Sequence, residues 1–98
     1  MSKEIRTEAV NQLFEGIMTL ENIEECYAFF ADICTINELL SLSQRFEVAK
    51  MLRDKRTYLE ISEQTGASTA TISRVNRSLN YGRDGYELVF KRIEPSEE

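Results

Sequence analysis

Histidine is missing from this 98-residue chain, and cysteine occurs only at Cys26 and Cys34. Two sulfurs cannot complete a zinc site, and a separation of eight residues is not a metal-ligand spacing. If one helix carried both cysteines, they would stand about 12 Å apart, beyond the reach of a disulfide. Both fall among apolar residues, so they read as buried, reduced thiols of a cytosolic chain. There is no glycine-rich phosphate loop, and the adjacent acids Glu24 and Glu25 leave a helix in different directions. An enzyme therefore has almost no support. Proline occurs once and glycine four times, so few residues interrupt helices. No apolar run approaches the length of a membrane span. The charged start MSKEIRTEAV lacks the apolar core of a signal peptide, and a cytoplasmic location is expected.

What is present is apolar and aromatic: 42% hydrophobic residues, with four tyrosines and five phenylalanines. A length of 98 residues predicts one domain, which buries roughly 60–65% of its unfolded surface. The apolar supply is generous for a monomer, so an all-α domain with surface left for a partner subunit is expected. The net charge of −5 is unevenly spread. Residues 1–43 hold two basic and eight acidic residues, residues 44–92 hold ten basic and six acidic, and the tail adds three glutamates. A basic middle flanked by acid suits a chain that turns one face to phosphates.

That middle contains TYLEISEQTGASTATISRVNRSL, residues 57–79, read as two short helices about a tight turn. Leu59 and Ile61 are the apolar residues of the first helix, and Gly66-Ala67 is the corner. Ser68 has the side chain of an N-cap. Ile72, Val75 and Leu79 then recur at i, i+3 and i+7 as one apolar stripe. The opposite face carries Thr69, Ala70, Ser73, Arg74 and Arg77. Short side chains near a helix start, with arginines behind them, suit entry into a DNA major groove.

In chain order, helical periodicity predicts helices over about 4–18, 20–34, 36–54, 58–65, 69–81 and 85–93, with an acidic tail at 94–98. Thr19 can cap the second helix. Thr35-Ile36-Asn37-Glu38 and Thr57-Tyr58-Leu59-Glu60 are capping boxes, and Asp84 resembles a third capped start. The third helix is apolar around much of its circumference and should run through the middle of the molecule. Arg45, Lys50, Arg53, Lys55 and Arg56 form a basic flank beside the helix-turn-helix that could clamp phosphates.

The run GASTATISRVNRSLNYG resembles the helix-turn-helix of the Trp repressor family. With TINELLSLSQRFEVAKMLRDKRTYLEI before it, the chain looks closer still to the YerC/YecD branch of Trp-repressor-like bacterial proteins. The resemblance spans about residues 5–93 and implies an intertwined homodimer whose paired reading heads meet successive major grooves of double-stranded DNA. On that match Thr69, Ala70 and Thr71 would approach base edges, and Arg77 and the basic flank would hold phosphates. The full set read as DNA-binding is Ser68, Thr69, Ala70, Thr71, Ser73, Arg74 and Arg77, with Arg56, Thr57 and Tyr58 at the start of the motif. The family's effector pocket maps onto Gln44, Arg45, Arg74 and Ser78. Gln44 stands where the family's ring-covering arginine would be, and Arg45 is one position off. Val75 replaces the glycine that leaves room for the ligand, whereas Ser78 matches. These departures argue against L-tryptophan, and the choice between another small effector and none stays open.

The reading is a sequence-specific DNA-binding regulator, a homodimeric repressor without a cofactor. The alternative is a protein-interaction module that keeps the helix-turn-helix shape.

Overall fold

A computed structural model describes residues 4–94, so the acidic tail beyond Glu94 lies outside the described residues. Among these residues there are six α-helices and no strand: α1 Glu8–Ile17, α2 Ile23–Ile33, α3 Ile36–Arg53, α4 Tyr58–Thr65, α5 Thr69–Tyr81 and α6 Gly85–Ile93. The chain, expected as one domain, divides into two compact units at residues 1–36 and 37–98.

The first unit holds α1 and α2, and both helices start later than periodicity alone predicts. Thr7 caps α1 by accepting from the Val10 amide, so residues 4–6 stay outside the helix. Asn22, rather than Thr19, caps α2 by accepting from the Glu25 amide. The Thr19 hydroxyl instead donates to the Gly16 carbonyl at 2.7 Å, at the end of α1. An apolar period marks which residues share a face, but the competition between neighbouring caps decides where the first turn begins. Neither helix has a fully buried residue, and Phe14, Met18, Ile23, Tyr27 and Ile33 are exposed. Cys26 is exposed and Cys34 half-buried, both as free thiols. The expected burial of Cys26 is therefore not met within a single chain.

The second unit has a core of Val48, Ala49 and Met51 from α3, Ile61 from α4, Ala67 from the turn, Ile72 and Val75 from α5, and Phe90 from α6. Leu52 and Tyr86 pack against it. Burial in α3 is confined to its second half, at Val48, Ala49 and Met51; Leu40 and Leu42 in its first half, and Phe46 just past its midpoint, are exposed. The expectation that α3 is central thus holds for half its length in one chain. The helix ends in a Schellman motif: the Arg56 amide bonds the Met51 carbonyl, the Lys55 amide bonds the Leu52 carbonyl, and Lys55 adopts φ 67°. Arg53 then ties α3 to α6, making two bonds to Glu87 at 2.8 and 2.9 Å and one to Glu94. Its guanidinium lies 5.5 Å from the centroid of Phe90.

Candidate nucleic-acid interface

The motif begins at the predicted capping box. Thr57 accepts from the Glu60 amide at 3.1 Å, and the Glu60 carboxylate accepts from the Thr57 amide at 2.9 Å. That backbone bond, with help from Arg56 at 3.2 Å, holds the Glu60 carboxyl below the usual glutamate range. Of the two apolar residues read into α4, Ile61 is sealed in the core at 0% exposure, but Leu59 is 69% exposed. Leu59 lies two residues from Ile61 and hence on the far side of a helix.

The helix closes at Gly66, whose φ of 75° gives the left-handed turn and whose amide bonds the Ser62 carbonyl. The Thr65 hydroxyl donates to the Ile61 carbonyl and accepts from the Ala67 amide. Ala67 is buried, and Ser68 then caps α5, accepting from the Thr71 amide and donating to the Thr71 hydroxyl, each at 3.1 Å. Turn, cap and stripe are thus in the predicted register. Ile72 and Val75 are buried, at 0% and 2% exposure, while Leu79, lower on the stripe, is only half-buried.

The outer side of α5 is bare. Ser68, Thr69, Ala70, Ser73, Arg74 and Arg77 are exposed, and Thr71 is half-buried, its hydroxyl accepting from Ser68. Arg56, Thr57 and Tyr58 are exposed at the start of α4. The basic flank is smaller than the sequence suggests. Arg45, Lys50 and Lys55 are exposed, but Arg53 is committed to Glu87 and Glu94 and drops out of it. The signal for that pairing is distant, Glu87 in α6 and Glu94 just after it, and no local pattern in α3 announces it.

Of the four residues mapped to an effector pocket, Ser78 is the one among those lining the groove beside Phe46 and Tyr86. Gln44 is half-buried, and its side-chain amide donates to the Thr65 carbonyl at 3.2 Å. Arg45 and Arg74 are exposed. Ser78 lines an open groove of about 550 Å³ with Phe46, Gly82, Arg83, Tyr86 and Val89. Val75 is in the core, where its methyls fill space. Gly82, which closes α5, is required by close approach: a Cβ there would stand 2.3 Å from the Ser78 carbonyl oxygen. Asp84, read as a capped start, makes no side-chain cap bond to α6, because its backbone is left-handed at φ 62°.

Two helices about a glycine turn, the second capped by serine, backed by an apolar stripe and open on its other side, define a helix-turn-helix protein. The chain belongs to the Trp repressor family, whose model, described as Trp repressor protein, matches residues 8–94. It is 56% identical over 93 residues to the uncharacterized protein YerC of Bacillus subtilis strain 168, covering 95% of this chain and 89% of that one. Its fold is similar to the crystal structure of a TrpR-like protein from Eubacterium eligens, with TM-score 0.90, 67% identity, and coverage of 96% and 97% of the two chains. A Staphylococcus aureus protein described as a candidate Trp repressor is also similar, with TM-score 0.87, 54% identity and 94% coverage of each chain. The family is one of DNA-binding regulators rather than enzymes. Among the described residues, no helix is long and apolar enough to cross a membrane.

Proposed function

We propose that the chain is a cytoplasmic, sequence-specific transcriptional repressor that acts as a homodimer and presents α5 to the major groove of double-stranded DNA. The observation that carries this is the two-sided character of α5: Ile72 and Val75 are sealed behind a bare face of Thr69, Ala70, Ser73, Arg74 and Arg77. Short residues at the capped end suit base edges. Arg77, with the exposed cations Arg45, Lys50, Lys55 and Arg56, suits phosphates. Exposed apolar side chains on α1, α2 and α3 support the homodimer, since water-facing Phe14, Tyr27, Leu40 and Phe46 gain by covering one another across a two-fold axis.

L-tryptophan is not the proposed effector. Val75 fills the space such a ligand would need, and Gln44 is already bonded to Thr65.

Arg74→Ala and Arg77→Ala test the reading in gel shifts at fixed salt, on fragments selected from genomic DNA. Each is expected to weaken binding by about 1–3 kcal/mol if it reads a base, or less if it holds a phosphate. One of the two should also relax sequence preference. Unchanged affinity in both variants rejects α5 as the reading helix. Failure of the purified protein to hold any genomic fragment at low salt supports the interaction-module alternative.

A further inference from the structure

We propose that Gln44 is a positioning residue for α5, an inference that rests on the DNA-binding reading above. Through its bond to the Thr65 carbonyl, it sets the register at which the Thr69–Ala70 end of the helix is presented to DNA.

The reason lies in which contacts have direction. Val48, Ala49, Ile61, Ile72 and Val75 hold α3, α4 and α5 together. Apolar burial is non-directional, however, so it tolerates small slides and rolls that leave the same area covered. Hydrogen bonds resist such movement because they weaken steeply with misalignment. Among the described hydrogen bonds of α4, the turn and α5, nearly all are local. Thr65 bonds Ile61 and Ala67, Gly66 bonds Ser62, and Ser68 bonds Thr71. The bond from Gln44 to Thr65 reaches across 21 positions and anchors the motif to a different helix.

The place it anchors is sensitive. Thr65 is the last residue of α4, and its carbonyl is one of the end groups that no residue of the same helix can satisfy once the chain turns at Gly66. Gln44 supplies that donor from a half-buried position, where water competes less. From Thr65 a short relay leads to the DNA-facing end: the Thr65 hydroxyl holds the Ala67 amide, and Ser68, next in the chain, caps α5 through Thr71. A shift of the Thr65 carbonyl therefore moves the cap and first turn of α5. Recognition of base edges requires side chains held to within a fraction of an ångström. Phosphate contact tolerates more, since it depends chiefly on charge. Loss of the tie should thus cost sequence preference more than general affinity for DNA.

Two variants of the full chain separate this from simple loss of stability. Gln44→Met keeps length and volume but has no donor, and Gln44→Lys restores a donor. Each is titrated by fluorescence anisotropy against two duplexes of equal length at one salt concentration. One is a fragment that the wild type selects from genomic DNA, and the other is its scrambled counterpart. Gln44→Met should lose roughly five- to tenfold on the selected duplex, with little change on the scrambled one. Gln44→Lys should recover most of the ratio between the two, whatever its added charge does to both. Amide exchange at Ala67 and Ser68 should quicken in Gln44→Met and slow again in Gln44→Lys.

An unchanged ratio in Gln44→Met overturns the inference, and so does an equal loss on both duplexes that merely follows a lower melting temperature. If Gln44→Met does not fold, unchanged exchange and ratio in Gln44→Lys support it, and a collapsed ratio in that variant overturns it. A wild type that binds DNA without any preference removes the DNA-recognition reading and this inference together. A preference that survives in both variants removes this inference alone.

Discussion

Left-handed backbone at a residue with a side chain costs about 1–2 kcal/mol, and two turns of the second unit handle this differently. Gly66 takes φ 75° with no atom near the position of a Cβ, so Gly66→Ala should cost about 1 kcal/mol through backbone strain alone. Lys55 takes φ 67° despite its side chain, so Lys55→Gly should gain up to about 1 kcal/mol. Thermal melts of the two variants should move in opposite directions; a lower melting temperature for Lys55→Gly contradicts the account. Acid sensitivity also has single-residue causes. The Glu87 carboxyl is held below its ordinary range by hydrogen bonds from Arg53, and Glu60 by the Thr57 amide and Arg56. Both groups are more acidic when folded, so their stabilisation is complete above the ordinary glutamate value of about 4.3 and is lost as pH falls through the lowered folded values. Circular-dichroism melts between pH 3 and 6 should show this acid limb, and Glu87→Gln should flatten it. An unaltered limb in that variant means the Arg53 pairing has no thermodynamic weight.

At the scale of elements, α5 serves two surfaces at once, and substitutions on its two sides should separate cleanly. Ile72 is fully buried among residues of α3, α4 and the turn, so Ile72→Ala should destabilise the chain by about 2–5 kcal/mol. Ala70 is exposed two residues before it, so Ala70→Ser should leave the melting temperature nearly unchanged and affect only DNA binding. A large loss of stability in Ala70→Ser would show that the exposed face is engaged in the fold. Cap chemistry explains why the motif was the most legible part of the chain. The Thr57–Glu60 box, the Gly66 turn and the Ser68 cap are local interactions written in consecutive residues. The starts of α1 and α2 were less legible: the apolar period marks a face but does not choose the capping residue, and Thr7 and Asn22 cap later than the period predicts. By contrast, α6 starts at residue 85 as expected, although Asp84 makes no side-chain cap bond.

For the whole molecule, the quantity that matters is apolar surface with no cover in one chain. Phe14, Tyr27, Leu40, Leu42 and Phe46 are exposed, which a dimer interface would relieve. Sedimentation equilibrium should give twice the chain mass at micromolar concentration. Leu40→Glu combined with Tyr27→Glu should shift the protein to monomer and abolish tight DNA binding, because two linked reading heads bind far better than one. A double variant that stays dimeric places the interface elsewhere. Cys26 and the first half of α3, expected to be buried, are exposed: residue type identifies a side chain that prefers burial, whereas a single chain does not have to supply the cover.

The sequence by itself determined the all-α class, six helices close to their observed places, and a helix-turn-helix whose turn, cap and stripe fall in register. Periodicity, caps and glycine act over a few residues, so a linear reading captures them. Only the tertiary structure decided that Arg53 belongs to Glu87 and Glu94 rather than to a phosphate clamp, that Leu59 faces outward, and that Gln44 is spent on the Thr65 carbonyl. The two side-chain pairings join residues more than twenty positions apart, and the outward turn of Leu59 reflects which side of α4 its neighbours cover; both depend on how helices meet, which no local pattern encodes.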